Sequence, residues 1–357
     1  MKHLLLLCTV AHLVWAKPSR ESPNRLVETI NSKKTTWKAG VNFPGETPEE
    51  FAKKHLGFLG NHQDPNFRVA KKVHKIGKTT IPESFDAREQ WPECKDVIGN
   101  IRDQGNCGSC WAFATTEVMS DRLCIASKGE IKFEFSPQDL LSCCNYCGNG
   151  CDGGYTARAW IYWIGHGIVS GGDYNTNIGC KPYEALAFLN HTTPSCKTTC
   201  TNDNYKTAYE DDRFNGVTYY SLDVSVEQMQ TDIMTYGPIQ ASYRVFEDFV
   251  TYKEGVYQYT EGEELGGHAV KIIGWGSENN VPYWLVANSW GSHWANLKGY
   301  FKIRRGTDEC GIEGNVYGGI ALRDNSDPPG DTGSAINVVS SGLGLLLSGL
   351  MFFMLFE

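Results

Sequence analysis

Thirteen cysteines are spread along this chain of 357 residues, and they constrain its possible folds more than any other feature. The chain is too long for a small disulfide-stapled scaffold and long enough for one large or two medium domains with hydrophobic cores. If the chain is secreted, so many cysteines indicate an oxidising compartment and structural disulfides. Because the count is odd, at least one sulfur lacks a partner within the chain.

The N-terminus has the pattern of a cleaved secretion signal. Lys2 precedes an apolar run from Leu4 to Trp15, which closes on Val14-Trp15-Ala16 with small residues at −3 and −1. An N-terminal anchor is the alternative, but the run is short for a membrane span. We expect residues 1–16 to be removed together with Cys8, which leaves twelve cysteines.

The C-terminal segment 326–357 is predicted to be a hydrophobic tail outside the folded domain. Residues 332–356 carry no charge, and small residues at 333–335 precede a partly polar spacer and an apolar stretch at 343–356. This is the pattern of a GPI-attachment signal. A membrane anchor or a docked or dispensable tail are the alternatives, although only Glu357 stands where a spanning helix usually shows Lys or Arg.

The formal net charge of −8 hides two segments of opposite sign. Residues 17–79, which we call the leader, contain 13 basic and 6 acidic residues, a balance of +7. Lys2 adds one more positive charge, so residues 80–357 carry −16. The pattern indicates that the leader is a removable segment held on the acidic remainder of the chain partly by charge. Its binding would weaken when carboxylates of that remainder are protonated. A basic linker is the alternative. The acidic balance gives no support for nucleic-acid binding.

The chain that follows the leader, which we call the body, changes from predicted helices to predicted strands at about residue 205. Three helices are predicted before that point, at 109–128 with one buried stripe, from Ser136 onward, and at 155–164. Short β-branched and aromatic runs follow at 270–275, 283–287 and 300–303. The sequence therefore predicts an α+β fold in which a helical half precedes a strand-rich half, with a cleft between them.

The run Gln104-Gly-Asn-Cys-Gly-Ser-Cys110-Trp-Ala-Phe113 concentrates the candidate chemistry. Cys110 would begin the long helix, where unpaired N–H groups and the macrodipole favour a thiolate. Alternatively, Cys110 pairs with Cys107, either as a redox-active couple or as a structural disulfide.

A thiolate nucleophile needs an imidazole and a group that orients it. His268 follows Gly266-Gly267 and opens a predicted strand, and a turn sends the chain back toward Asn288. If residue 276 faces residue 283, His268 lies near residues 288–291, so Asn288 is in reach of its ring. Two tryptophans, Trp290 and Trp294, would shield that contact from water.

The segments around Cys110 and His268, together with Ala287-Asn288-Ser289-Trp290, resemble the papain family of cysteine proteases. The sequence Cys-Gly-Ser-Cys-Trp around the nucleophile is a known signature of that family. The long spacing from Cys110 to His268 fits an insertion and resembles the cathepsin B-like branch. Further matches to that branch are Ile81–Arg88, Ser120-Asp121-Arg122, Cys143-Cys144 and Cys310–Glu313. The resemblance covers roughly residues 26–323.

The resemblance implies a papain-like two-domain fold, with a helical left half, a β-barrel-like right half and the active-site cleft between them. It implies that Cys110 is the nucleophile, His268 the general base and acid, and Asn288 the orienting amide. Gln104 and the backbone N–H of Cys110 would form the oxyanion hole. The reaction would be acyl transfer to Cys110 followed by hydrolysis, with no metal or other cofactor.

The resemblance also implies the partners. Peptide and protein substrates would bind along Gly153, Gly154 and Tyr155, with Trp290 and Asn315 also in the cleft. The leader, with its Trp37–Gly40 motif, would be an inhibitory propeptide, and the mature protease of residues 80–325 would start near Thr80. Cystatin-type inhibitors are further expected partners.

Five disulfides follow from the resemblance, and they leave Cys110 and Cys310 unpaired. The implied pairs are Cys94–Cys124, Cys107–Cys151, Cys143–Cys196, Cys144–Cys147 and Cys180–Cys200. The cluster of cysteines from 143 to 151 also permits a zinc-site interpretation, which a secreted setting disfavours.

Two departures from the cathepsin B pattern carry expectations about specificity. The stretch Cys180–Cys196 is short and lacks the paired histidines of the occluding loop; only His191 remains, in a glycosylation sequon at Asn190. We therefore expect endopeptidase activity with weak dipeptidyl carboxypeptidase activity. Asn315 stands where cathepsin B has an acid, which predicts apolar or aromatic P2 residues over Arg.

Two rival interpretations remain. One is an inactive binding protein on a protease scaffold, held at a membrane. The other is a membrane-held carrier or structural glycoprotein, for which the tail is the only support. The presence of all four residues that the chemistry requires, at positions 104, 110, 268 and 288, favours the protease.

Overall fold

The computed structural model describes residues 23–60, 69–74 and 80–322. The predicted signal peptide and C-terminal tail lie outside these residues. The helices within the described ranges are α1 Pro23–Ser32, α2 Pro48–His55, α3 Ala87–Gln90, α4 Lys95–Ile98, α5 Cys110–Ala126, α6 Pro137–Cys143, α7 Thr156–His166, α8 Ala185–Asn190, α9 Tyr209–Asp212 and α10 Val226–Tyr236. Among them, no helix combines the length and the apolarity needed to cross a bilayer.

The strands of the described part are short at the edges of the sheet and long at its centre. They are β1 Trp37–Ala39, β2 Lys71–Lys72, β3 Phe85–Asp86, β4 Thr218–Leu222, β5 Ile239–Phe246, β6 Tyr252–Tyr257, β7 Glu264–Glu278, β8 Val281–Ala287, β9 Tyr300–Arg304 and β10 Val316–Ile320. They pair in the order β1-β6-β9-β8-β7-β5-β10-β4-β2, and β3 pairs with β7.

The three predicted helices and three predicted strands are confirmed, and so is the α+β class. The helix α6 is capped by Ser136, whose hydroxyl accepts a hydrogen bond from the Asp139 N–H at 3.0 Å. Pro137 occupies its first turn, where no intrahelical N–H is needed. The strand-rich half forms an open sheet with a linear pairing order rather than a closed barrel.

The prediction of a single buried stripe on α5 is wrong. Every residue from Cys110 to Cys124 is buried. The physical reason is that α5 lies between the two halves, because it contacts α6 and α7 on one side and β7 on the other. A helix with partners on all sides has no solvated face, so its sequence carries no amphipathic period.

The hairpin β7–β8 has the register that the sequence predicts, with Gly276 opposite Tyr283. Asn279 and Asn280 form its turn with φ of 51° and 65°, the left-handed conformation that asparagine tolerates better than most residues. A register shift between Ile272 and Gly274 moves the pairing by one residue. The hairpin thereby brings His268 and Asn288 to the same end of the sheet.

Each half has its own core. The helical half packs around Trp111, Trp160 and Trp163. All five disulfides join cysteines between residues 94 and 200, in this half of the chain. The strand half packs around Trp275 and Trp284 with many aliphatic and aromatic neighbours. Cys110 stands at the junction of the two, in contact with Ala114 and Ala269.

The leader supplies both edge strands of the sheet. β1 pairs antiparallel with β6 at one edge, and β2 pairs in parallel with β4 at the other. Between them, α2 begins at a capping box made by Thr47 and Glu50. The residues that follow α2 cross the junction where Cys110 lies.

Candidate active site

Cys110 is the first residue of α5, and its sulfur is fully buried under the leader. Phe58 of the leader packs against Cys110, Ala114 and Ala269. Burial raises the pKa of the Cys110 thiol to about 11, while backbone hydrogen bonds from Ala269 and Gly57 act in the opposite direction. The thiolate that the helix N-terminus favours is therefore not the stable form in this closed state, because desolvation outweighs the backbone hydrogen bonds that favour it.

The imidazole of His268 is held by Asn288. Its Nε2 lies 2.8 Å from Asn288 Oδ1. Because an amide oxygen only accepts, Nε2 carries the proton and Nδ1 is left as the base. The ring of Trp290 lies 4.6 Å from the imidazole and Trp294 packs behind it, as the sequence predicts.

Burial lowers the pKa of His268 to about 4, and the hydrogen bond that its Nε2–H donates to Asn288 opposes that shift. The catalytic candidates are therefore both neutral in the closed state. A thiolate–imidazolium pair would need water or substrate in place of the leader.

Gln104 presents its side-chain amide to the leader. Its Nε2 donates to the carbonyl of His55 at 2.8 Å and to the carbonyl of Cys107 at 2.7 Å. Its Oε1 accepts from the Ser289 hydroxyl at 2.7 Å, which fixes the orientation of the amide. The amide that would stabilise an oxyanion thus already binds a peptide carbonyl. Ser289 is a supporting residue that the sequence analysis missed, although it follows Asn288 directly.

The leader backbone pairs with both walls of the cleft. Gly154 donates to the Gly57 carbonyl at 2.8 Å and accepts from the Leu59 N–H at 3.1 Å, and Phe58 donates to the Gly267 carbonyl at 3.0 Å. Of the two predicted substrate-binding glycines, Gly154 thus pairs with the leader backbone, and Gly153 directly precedes it. A Cβ on Gly57 would lie 1.8 Å from the Gly108 carbonyl oxygen, so only glycine permits this approach.

Two other predicted substrate residues, Tyr155 and Asn315, make backbone hydrogen bonds within the body. Tyr155 donates its N–H to the Cys147 carbonyl at 2.8 Å and directly precedes α7. Asn315 accepts a hydrogen bond from the Ser242 N–H through its backbone carbonyl at 3.1 Å.

The structure shows which cysteines form disulfides and which are free. The structure contains the disulfides Cys94–Cys124, Cys107–Cys151, Cys143–Cys196, Cys144–Cys147 and Cys180–Cys200, the five pairs that the resemblance implies. Cys107 is therefore not a redox partner of Cys110, and Cys110 and Cys310 are free and buried. Cysteines 143 to 151 are oxidised in pairs, which rules out the zinc interpretation of that cluster.

The short stretch between Cys180 and Cys196 forms α8 beside the cleft. Phe188 stacks on Tyr174 with ring centroids 4.4 Å apart, and Asn190 ends the helix on the surface. His191 follows in a left-handed conformation, with Nδ1 2.9 Å from the Asn106 carbonyl and Nε2 3.2 Å from Asp152. This imidazole is thus tied to the body.

A cavity of about 230 Å³ lies between α8 and the leader. The body lines it with Asp103, Gly105, Asn106, Phe188, Leu189 and Trp290, and the leader with Phe43, Glu46 and His55. His55 is almost fully buried, with Phe51 4.6 Å and Trp290 6.3 Å from its ring. No periodic signal in the leader marks His55 or Phe58 as contact residues, so the sequence analysis did not find them.

Comparison with known proteins agrees with this geometry. The family model described as papain family cysteine protease matches residues 81–320, and the peptidase family C1 propeptide model matches residues 24–62. Cathepsin B-like cysteine proteinase 4 of Caenorhabditis elegans is 48% identical over 313 residues, covering 83% of this chain and 91% of that protein. Cathepsin B-like cysteine proteinase 5 of the same nematode is 46% identical over 342 residues, covering 88% and 96%.

Solved proenzyme structures share the fold. Procathepsin B S9 from Trypanosoma congolense has a TM-score of 0.74 at 33% identity, covering 85% of this chain and all of that one. Digestive procathepsin L2 from Tenebrio molitor larval midgut has a TM-score of 0.65 at 26% identity, covering 84% and 88%. The chain thus belongs to the papain family of cysteine proteases, and within it to the cathepsin B-like proteinases that carry a propeptide.

Proposed function

We propose that this chain is the zymogen of a secreted or lysosomal cysteine endopeptidase whose reaction is carried out by Cys110, His268, Asn288 and Gln104. The observation that carries the proposal is the hydrogen bond from Gln104 to a leader carbonyl, beside the His268–Asn288 pair. The leader, residues 17–79, would be removed near Thr80 to release a protease of residues 80–325.

The acylation step uses the groups in these positions. Cys110 Sγ loses its proton to His268 Nδ1 and attacks the substrate carbonyl carbon, and the oxyanion accepts hydrogen bonds from Gln104 Nε2 and the Cys110 N–H. The intermediate collapses as His268 Nδ1 protonates the leaving amine, and a thioester remains on Cys110.

Deacylation repeats the chemistry with water. His268 Nδ1 takes a proton from the water, whose oxygen attacks the thioester carbonyl. The C–S bond then breaks, the thiolate recovers the proton from His268, and the carboxylic acid product leaves. Asn288 holds the tautomer throughout, and Trp290 keeps the Asn288–His268 hydrogen bond away from solvent.

Latency follows from burial of both reacting groups. The leader raises the pKa of Cys110 and excludes the water that would stabilise a charged imidazole. Its departure removes that desolvation, so the thiolate–imidazolium pair becomes accessible only in the open enzyme.

Active-site labelling tests the proposal. After acid activation, a thiol-directed epoxide should label the wild-type protein once, and Cys110→Ala should abolish the label. Cys310→Ala, which removes the other free thiol, is the matched control and should leave labelling intact. Absence of labelling after complete removal of the leader would favour the inactive binding protein instead.

Endopeptidase rather than exopeptidase activity is supported by α8. His191, which follows α8 directly, is engaged by Asp152 and the Asn106 carbonyl, so this stretch offers no pair of free imidazoles to a substrate carboxylate. We expect cleavage of internal bonds and inefficient removal of C-terminal dipeptides. A dipeptide-release assay on matched free-acid and amidated substrates checks this: strong release that amidation abolishes would contradict it.

An apolar or aromatic P2 preference is supported by Phe58. This leader side chain packs against Ala114 and Ala269, beside Cys110. A subsite that accepts a phenylalanine from the leader and offers no carboxylate at position 315 favours Phe over Arg. Fluorogenic peptides that differ only at P2 should show a higher kcat/KM for Phe by about tenfold or more. A higher kcat/KM for Arg would refute the assignment.

Entry into the secretory pathway is supported by the disulfides and the exposed sequon at Asn190. The fate of the C-terminal tail decides between a soluble and a membrane-attached enzyme. Fractionation of membranes before and after phospholipase cleavage distinguishes a GPI-linked protein, which is released, from a spanning anchor, which is retained.

A further inference from the structure

A short stretch of the leader binds the body at the sheet edge opposite β1. Within residues 69–74, β2 adds in parallel to β4, with Lys71 opposite Ser221 and Lys72 opposite Leu222. The Ser221 N–H also donates to the Ala70 carbonyl at 3.0 Å. The backbone of this stretch is thus held as an added strand, a common mode of peptide recognition.

Two residues of the same stretch, Lys72 and His74, make specific contacts with residues of the body. His74 Nε2 lies 2.9 Å from Asp232 Oδ1, and the Asp232 side chain has no solvent exposure. Gln228 brackets the His74 backbone, since its Oε1 accepts from the N–H at 2.6 Å and its Nε2 donates to the carbonyl at 3.0 Å. Lys72 Nζ lies 3.9 Å from the Tyr236 ring centroid and 4.7 Å from that of Tyr220.

Side chains of the body also bind Asp232. Arg122 Nη2 donates to Asp232 Oδ2 at 2.6 Å, and the Tyr220 hydroxyl donates to Asp232 Oδ1 at 2.8 Å. Arg122 is itself buried and donates to the carbonyls of Pro238 and Gly319. Burial tends to raise the pKa of Asp232, but Arg122 and His74 outweigh it and lower the pKa to about 2. The carboxylate therefore stays ionised in mildly acidic solution.

This surface is separate from the cleft. Arg122 lies twelve residues along α5 from Cys110, a helical rise of about 18 Å. The cleft is filled by residues 55–59 of the leader, whereas residues 69–74 cover the far edge of the sheet.

We propose that Gln228, Asp232, Tyr236, Tyr220 and the edge of β4 form a second peptide-binding site, the linker site, which recognises extended basic segments with the Lys-x-His pattern of Lys72–His74. The leader fills it in the zymogen. Once the leader is removed, the same site binds basic segments of protein substrates and holds them on the acidic body. The proposal does not depend on the catalytic roles assigned above.

The test empties the linker site while the cleft stays closed. The full chain carries Cys110→Ala to prevent processing, and residues 69–74 are replaced by an equally long Gly-Ser segment. Fluorescence anisotropy then follows binding of a labelled peptide with the sequence Val-Ala-Lys-Lys-Val-His. We expect the peptide to bind the emptied zymogen. Its binding to the zymogen that retains residues 69–74 should be at least about tenfold weaker, because those residues occupy the same site within the same molecule.

Matched variants locate the bound peptide. Alanine in place of the peptide's histidine or second lysine should weaken binding about tenfold, as should Tyr236→Ala or Gln228→Ala in the emptied zymogen. These protein variants leave the buried Arg122–Asp232 pair intact. Thr235→Ala, at an exposed neighbour on α10, should have no effect. The proposal is overturned if the emptied zymogen does not bind the peptide, or if Tyr236→Ala and Thr235→Ala bind it equally.

Discussion

At the scale of single residues, His55 is a leader side chain whose proton affinity differs between the docked and the released leader. Its ring is buried against Phe51 and Trp290, while its backbone carbonyl accepts from Gln104. Burial lowers its pKa from 6.5 to about 3, and repulsion from His268 when that ring is protonated, and from Lys54, acts in the same direction. The docked leader thus binds neutral imidazole, whereas a released leader can bind a proton.

This difference in proton binding gives a direction for acid activation. Between about pH 6.5 and pH 3 the released form takes up a proton that the docked form excludes, so docking weakens as pH falls, by up to about 1.4 kcal/mol per pH unit. His55→Phe keeps an aromatic ring there but cannot titrate. We expect its activation midpoint, measured as the rate of activity release against pH, to fall by about one pH unit.

The exposed histidine at the end of α7 offers a matched control for His55. His166→Phe should leave the pH profile of activation unchanged, since that ring has no contact with the leader among the described residues. An activation profile for His55→Phe that coincides with the wild type would show that other groups, such as carboxylates of the body, set the pH response.

At the scale of elements, the leader completes the sheet. An exposed edge strand offers unpaired N–H and C=O groups that invite association. β1 satisfies one edge, and within it Trp37 is buried with its indole N–H donating to the Gln258 carbonyl at 3.0 Å. Tyr257 lies 5.2 Å from the same ring. The adjacent Lys38 points outward and remains 74% exposed.

This alternation predicts opposite outcomes for neighbouring residues of β1. Trp37→Ala removes a buried indole and should weaken leader docking by about 3–5 kcal/mol. We expect faster activation at mildly acidic pH, measured by the appearance of proteolytic activity. Lys38→Ala loses only a solvated ion pair with Glu254 at 3.5 Å and should activate at nearly the wild-type rate. Equal rates for the two variants would mean that β1 does not hold the leader.

At the scale of the whole molecule, a buried charge cluster joins the two halves. Glu117 and Asp121 on α5 face Lys271 on β7, with Lys271 Nζ 3.7 Å from Glu117 Oε2 and 2.9 Å from Asp121 Oδ2. Burial raises the pKa of Glu117 to about 7, although Lys271 opposes the shift. Two carboxylates share one ammonium group, so ionisation of both leaves an excess negative charge away from water.

The raised pKa of Glu117 makes stability depend on pH in a definite direction. The folded protein retains a proton that the unfolded chain loses near pH 4.5, so stability falls as pH rises from about 4.5 to 7. Glu117→Gln should reduce this loss and stabilise the fold at pH 7 by about 1–3 kcal/mol. Chemical denaturation of the Cys110→Ala zymogen at pH 5 and pH 7 measures it. A variant less stable than its parent at pH 7 would contradict the prediction.

Local sequence patterns were sufficient wherever a contact depends on near neighbours. The capping of α6 by Ser136, the turn at Asn279-Asn280 and the register that brings His268 to Asn288 all follow from residues close together in sequence. The motif around Cys110 added the family and, through it, the pairing of distant cysteines. Periodicity failed for α5, because a helix buried on every side has no polar face to mark its orientation.

The sequence by itself determined the family, the α+β class and the residues that carry the candidate chemistry. Only the tertiary structure decided that the carbonyl of His55 lies on Gln104, that the leader forms both edges of the sheet, and that His74 meets Asp232. These contacts join residues that are 49 (His55 and Gln104), 158 (His74 and Asp232) and 218 positions apart (Trp37 and Gly255, 255 − 37). No local propensity encodes such pairs, because their stability comes from burial and charge pairing that exist only once the chain has packed.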